Sequence, residues 1–153
     1  MLSSSALKPM TMSKSSSAKF RIVFDTNVDI AAFLRPGLCE TLLERANQGA
    51  FELYVTQEIM DETLNKLKTK MKVSNIDLEK FSTHIKKIAR LVEPCQKLDV
   101  IKDDPDDNKI LECVAEAKAN LIVSLDHHLT DLKSYSDAGI VHPKTLKWII
   151  PTD

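Results

Sequence analysis

Residues Arg21 to Val28 read RIVFDTNV. An apolar run, Ile22 to Phe24, stops at Asp25 and gives way to Thr26 and Asn27. A short unbroken apolar run suits a strand covered on both faces, and in open α/β sheets the residues just past a strand's carboxyl end line the ligand crevice. Asp25 is therefore a candidate for chemistry. The competing reading is a helix cap, because Asp, Thr and Asn side chains all accept hydrogen bonds from the unpaired N–H groups of a helix start. On this stretch alone both readings stand.

Working outward, Val28 to Leu34 predicts a short helix ended by Pro36 and Gly37, and Leu38, Leu42 and Ala46 predict a second that stops near Gly49. Phe51, Leu53 and Val55 alternate with polar or amphipathic residues, the period of a strand. Thr56 is placed to cap a helix with apolar positions Ile59, Thr63, Leu64, Leu67 and Met71, and Ser74 with Asp77 resembles a capping box. Leu78, Phe81, Ile85, Ile88 and Val92 step by three and four, one helix face closed by Pro94. A short strand follows at Leu98 to Ile101, then the acidic turn DDPDDN and a helix carrying Ile110, Leu111, Val114 and Ala115. Leu121 to Leu125 is a second apolar run that ends at a carboxylate, Asp126. A brief helix from Leu129 to Tyr135, a strand from Ile140 to His142 and a helical turn from Leu146 to Ile150 complete the chain. Strands alternating with helices imply a central parallel sheet with right-handed crossovers, hence a three-layer α/β/α sandwich.

With 153 residues and 43% hydrophobic side chains, the chain fits one compact domain with a full core, residues 20–153. Residues 1–19 are rich in serine, carry three lysines and no acid, and read as a disordered leader. Cys39, Cys95 and Cys113 are widely spaced and fit no metal-ligand pattern, so they read as buried free thiols in a reducing compartment. A formal charge of −1 gives no general attraction to phosphate, so any nucleic-acid contact must be local. No apolar run approaches the roughly 18 to 20 residues of a membrane span, and the expectation is a soluble, cytoplasmic protein.

Two parallel strands ending in Asp25 and Asp126 would bring two carboxylates to one sheet edge, because parallel strands present their carboxyl ends together. Carboxylates of the turn Asp103 to Asn108, at a helix start, can face the same edge, although acids there also favour the helix dipole or cap it. Glu62 sits at the margin of its helix's apolar stripe, and periodicity does not prefer it to Glu58 or Asp61. Converging carboxylates repel one another unless something positive sits among them. Oxygen donors without clustered cysteine or histidine suit Mg²⁺ or Mn²⁺ better than Zn²⁺. His127 and His128 read as loop or capping residues, with His127 a candidate for a phosphate contact.

The stretches VFDTNV (23–28), YVTQEIMDETLNKL (54–67), DPDDNKILECVAEAKANLIVSLDHHL (104–129) and GIVHPKTL (139–146) resemble, in order and spacing, the PIN-domain nucleases, most of all the VapC-type toxins. The resemblance implies a PIN-like domain and places the family's acidic ligands on Asp25, Glu62, Asp107 and Asp126. It is this resemblance that prefers Glu62 and Asp107 to their acidic neighbours. The family's polar helpers fall on Thr26, Asn27 and Ser124. Asn108 stands where close relatives often carry an acid, and Leu125 where glycine often precedes the last aspartate.

What the resemblance implies is a Mg²⁺- or Mn²⁺-dependent endoribonuclease that hydrolyses RNA with metal-activated water. It further implies a toxin of a toxin–antitoxin system, with a cognate antitoxin and a second copy of the chain as partners. Lys66, Lys70, Lys86 and Lys87 are available to steer an RNA backbone, although lysines on outer helix faces are ordinarily just solvated. Two rivals remain at this level. One is a PIN-like module that binds RNA or a partner without cutting. The other is a phosphatase of the haloacid dehalogenase kind, whose chemistry wants a second aspartate where Asn27 stands.

Overall fold

The structure, a computed structural model, describes residues 19–95, 108–135 and 137–150. These form β1 (Arg21–Phe24), α1 (Thr26–Leu34), α2 (Leu38–Asn47), β2 (Glu52–Val55), α3 (Gln57–Thr69), α4 (Asn75–Ile88), β3 (Arg90–Leu91), α5 (Asn108–Ala117), β4 (Leu121–Val123), α6 (His127–Thr130), β5 (Ser134–Tyr135), β6 (Ala138–Val141) and α7 (Pro143–Ile149). The strands make one sheet in the order β3-β2-β1-β4-β6-β5, parallel except for the edge strand β5. Helices cover it as the outer layers of an α/β/α sandwich. The expected strand at 98–101, the acidic turn with Asp107, and residues 1–18 of the expected leader lie outside the described residues.

β1 is central because its side chains can be buried on both faces: Ile22, Val23 and Phe24 are all inaccessible. Burying one such side chain is worth about 1.5–3 kcal/mol. Ile22 is in register with Leu53 of β2 on one side and Leu121 of β4 on the other, so apolar rows run across the sheet. The chain leaves β1 toward β2 and β3, then returns to place β4 on β1's opposite flank. The direction of winding therefore reverses between β1 and β4, and in open α/β sheets the crevice at that switch point is the ligand site.

Helix boundaries follow local chemistry. Thr56 Oγ1 accepts the Ile59 amide at 3.2 Å and Ser74 Oγ accepts the Asp77 amide at 3.2 Å, the two caps expected from sequence. α3 buries Ile59, Thr63 and Leu67 but ends at Thr69, leaving Met71 exposed. α4 ends at Ile88 rather than continuing to Val92. There the chain turns extended, Arg90 and Leu91 pair with Tyr54 and Val55, and the Val92 amide bonds the Val55 carbonyl at 2.9 Å. Satisfying the open edge of β2 outweighs the helical periodicity.

The expected helix from Leu129 to Tyr135 is also corrected. α6 stops at Thr130, Lys133 adopts φ 65°, and Ser134 and Tyr135 form the antiparallel strand β5 against β6. A left-handed residue cannot continue a helix, and here it turns the chain back into the sheet. β6 begins earlier than expected, at Ala138, and His142 is not its last residue but the cap of α7, with Pro143 at the first helical position. The thiols differ too: Cys113 is buried, Cys39 is half-buried, and Cys95 is exposed. Among the described residues no helix is long and apolar enough to cross a membrane.

Candidate active site

Asp25 follows β1 and occupies the cap position of α1 with extended backbone angles, φ −65° and ψ 153°, yet its side chain makes no capping hydrogen bond. The usual cap to the second or third amide of α1 is thus not made. Its carboxylate turns toward β4, where Oδ2 accepts the Ser124 hydroxyl at 2.8 Å, and it also accepts the Thr26 amide. The Asp25 amide extends the β1–β4 ladder by bonding the Val123 carbonyl at 2.9 Å. Asp25 and Thr26 are both buried.

β4 ends at Val123, earlier than the apolar run to Leu125 suggested. Ser124 is fully buried. Its amide bonds the Val141 carbonyl at 3.0 Å, and its Oγ accepts the Asp126 amide at 2.9 Å while donating to Asp25. One hydroxyl thus ties the strand-end carboxylate of β1 to the backbone of the other aspartate. Asp126 is half-buried, and its carbonyl accepts the amides of Leu129 and Thr130, which starts α6.

Glu62 projects from α3 and is paired twice, with Lys66 one turn on at 2.8 Å and with Lys109 of α5 at 2.6 Å. Burial alone would raise the Glu62 pKa, but the hydrogen bonds and charges of the two lysines hold it below the ordinary glutamate value. Asp25 shows the opposite balance. Burial raises its pKa and the charge of Asp126 adds to this, against the lowering effects of Ser124, the Thr26 amide and the Lys66 charge. Lys66 is thus a counter-charge to the acids of the pocket. Asn108, at the start of α5, is buried, whereas Asn27 is exposed.

Two residues of this pocket escape the sequence reading. Asp29, one turn beyond Asp25 on α1, is buried, and its pKa is raised well above the ordinary value, first by burial and then by the Asp25 charge. The available signal was a lone acid inside the apolar run VDIAAFL. Lys109 is the other. Nothing in its spacing distinguishes it from a surface lysine; only the packing of α5 against α3 brings it to Glu62.

Among the described residues no three acidic, histidine or cysteine side chains converge as a ready-made metal cage. The donors present nonetheless fit a hard divalent cation. They are carboxylate oxygens, and a positive charge beside Asp25 would offset the burial and, to a lesser extent, the Asp126 charge that raise its pKa.

Fold and pocket together define a class: an α/β/α protein with an acidic crevice at the switch point of its parallel sheet. A family model described as PIN domain matches residues 21–128, and the chain belongs to the PIN-domain family. No curated protein matches the chain. PIN domains are generally nucleases, and this chain has their nuclease-type fold. The match stops before β6 and α7, but β6 pairs with β4 and completes the same sheet.

Proposed function

We propose that the protein is a metal-dependent endoribonuclease, with Asp25, Glu62, Asp107 and Asp126 as its acidic ligands and Thr26, Asn27, Asn108 and Ser124 as supporting polar residues. The observation that carries this reading is the Asp25–Ser124–Asp126 linkage at the sheet's switch point. Asp25 and Asp126 would hold Mg²⁺ or Mn²⁺, with Glu62 and Asp107 completing the site directly or through water. When bound, such an ion lowers the pKa of water and offsets negative charge developing on the phosphoryl oxygens. The chain's own contribution is positioning. Ser124 spends its one proton on Asp25, which fixes the carboxylate, and the same oxygen holds the Asp126 backbone in place. Lys66 and Lys109 balance the charge of Glu62, so the pocket can gather acids without unfolding. Hydrolysis breaks the P–O3′ bond, leaving a 5′-phosphate and a 3′-hydroxyl.

The motif order and spacing shared with the VapC type support a toxin role in the cytoplasm, with a small antitoxin and a second copy of the chain as partners. A second reading, a PIN-like module that binds RNA or a partner without cutting, draws on Glu62, whose charge is already met by two lysines, and on Asn108 where an acid is common. Cleavage of single-stranded RNA with Mn²⁺ separates the two. The nuclease reading expects cleavage that Asp25→Asn lowers by on the order of 10²–10³-fold. RNA binding that survives chelation, with no cleavage, favours the module.

A further inference from the structure

A cavity of about 220 Å³ is walled in part by Arg35, Pro36, Leu125, His142, Pro143 and Lys144. Two of its wall residues adjoin the proposed active site along the chain: Leu125 lies between Ser124 and Asp126, and His142 follows Val141, whose carbonyl holds the Ser124 amide at 3.0 Å. Its volume falls below the roughly 300–1,000 Å³ typical of whole small-molecule sites, which suits a single planar ring. Two prolines and the partly exposed Leu125 offer apolar faces. Arg35 and Lys144 are exposed, and neither has an acidic partner among the described residues. His142 Nδ1 accepts the Lys144 amide at 3.1 Å, so the neutral ring carries its proton on Nε2 and keeps one hydrogen-bond donor.

We propose that this cavity binds one nucleobase of the nucleic-acid strand, next to the phosphodiester presented to Asp25 and Asp126, with Arg35 and Lys144 pairing to its flanking phosphates. The substrate subsite so assigned rests on the nuclease reading. Unpaired bases are splayed from single-stranded RNA and bind by stacking and edge hydrogen bonds, which matches apolar walls, one ring donor and two cations. Leu125 supplies one apolar wall of the slot.

The test uses the full chain in EDTA with each of the four ribonucleoside 5′-monophosphates, following the Leu125 methyl and His142 ring resonances. At least one nucleotide should shift both at millimolar concentration, and Leu125→Gly, read from the His142 ring alone, and Arg35→Ala, read from both signals, each checked as folded by circular dichroism, should weaken the effect severalfold. No shift, an equal shift in the variants, or the same shift from inorganic phosphate alone overturns the proposal. A parallel mapping of cut sites in RNA of randomised sequence separates the two readings. Nucleotide binding without any RNA cleavage keeps the subsite and removes the nuclease. Cleavage whose base preference is the same in wild type, Leu125→Gly and His142→Ala keeps the nuclease and removes the subsite.

Discussion

The Ser124 hydroxyl lies 2.8 Å from Asp25 Oδ2, joining two strand ends that are 99 residues apart in sequence. Because Ser124 is fully buried and Asp25 nearly so, neither group has water as a substitute partner. Ser124→Ala is therefore expected to cost about 1–3 kcal/mol of stability, read from urea unfolding. The same hydrogen bond lowers the Asp25 pKa, so its loss should move the acid limb of any Asp25-dependent activity to higher pH. An unmoved limb would separate Ser124 from the chemistry.

Asp29 gives a pH dependence of opposite sign to most native carboxylates. Its pKa is raised in the folded state by burial and by Asp25. Between the ordinary aspartate value, about 3.9, and the raised value, the folded chain holds a proton that the unfolded chain has lost. Stability then falls as pH rises through that window. Asp29→Asn removes this dependence. In EDTA it should stabilise the protein by about 1–3 kcal/mol near neutral pH, or about 2–4 °C in Tm per kcal/mol. The gain should vanish toward pH 4. A variant less stable at every pH would refute the burden assigned to this carboxyl.

Glu62 is held by Lys66 and Lys109, and an ion entering the pocket must compete with them. Lys109→Met leaves Glu62 with one lysine and is expected to tighten Mn²⁺ uptake roughly threefold to tenfold, the scale of about 1 kcal/mol for a partly exposed pair. Calorimetric titration measures it. Unchanged affinity would take Glu62 out of the ion site.

The layers of the fold were legible because its central strand is apolar on both faces and its helices are striped. What sequence missed depended on partners distant in the chain. Arg90 and Leu91 leave the helical pattern because β2 has an open edge, and Ser134 and Tyr135 become a strand because Lys133 reverses the chain beside β6. In the pocket, the positions of Asp25 and Asp126 followed from apolar runs that stop at carboxylates. Glu62 could be preferred to Glu58 and Asp61 only through resemblance to a family. The burial of Asp29 and the double pairing of Glu62 required the packing of α1, α3 and α5, which no local pattern encodes.

Joint action of Asp25 and Asp126 on a divalent ion is checked by Mn²⁺ titration of wild type, Asp25→Asn and Asp126→Asn. The wild type should take up the ion saturably and each variant should lose affinity by at least about 100-fold, the upper range seen when even a supporting residue of a metal site is removed. Equal uptake by all three proteins would contradict it.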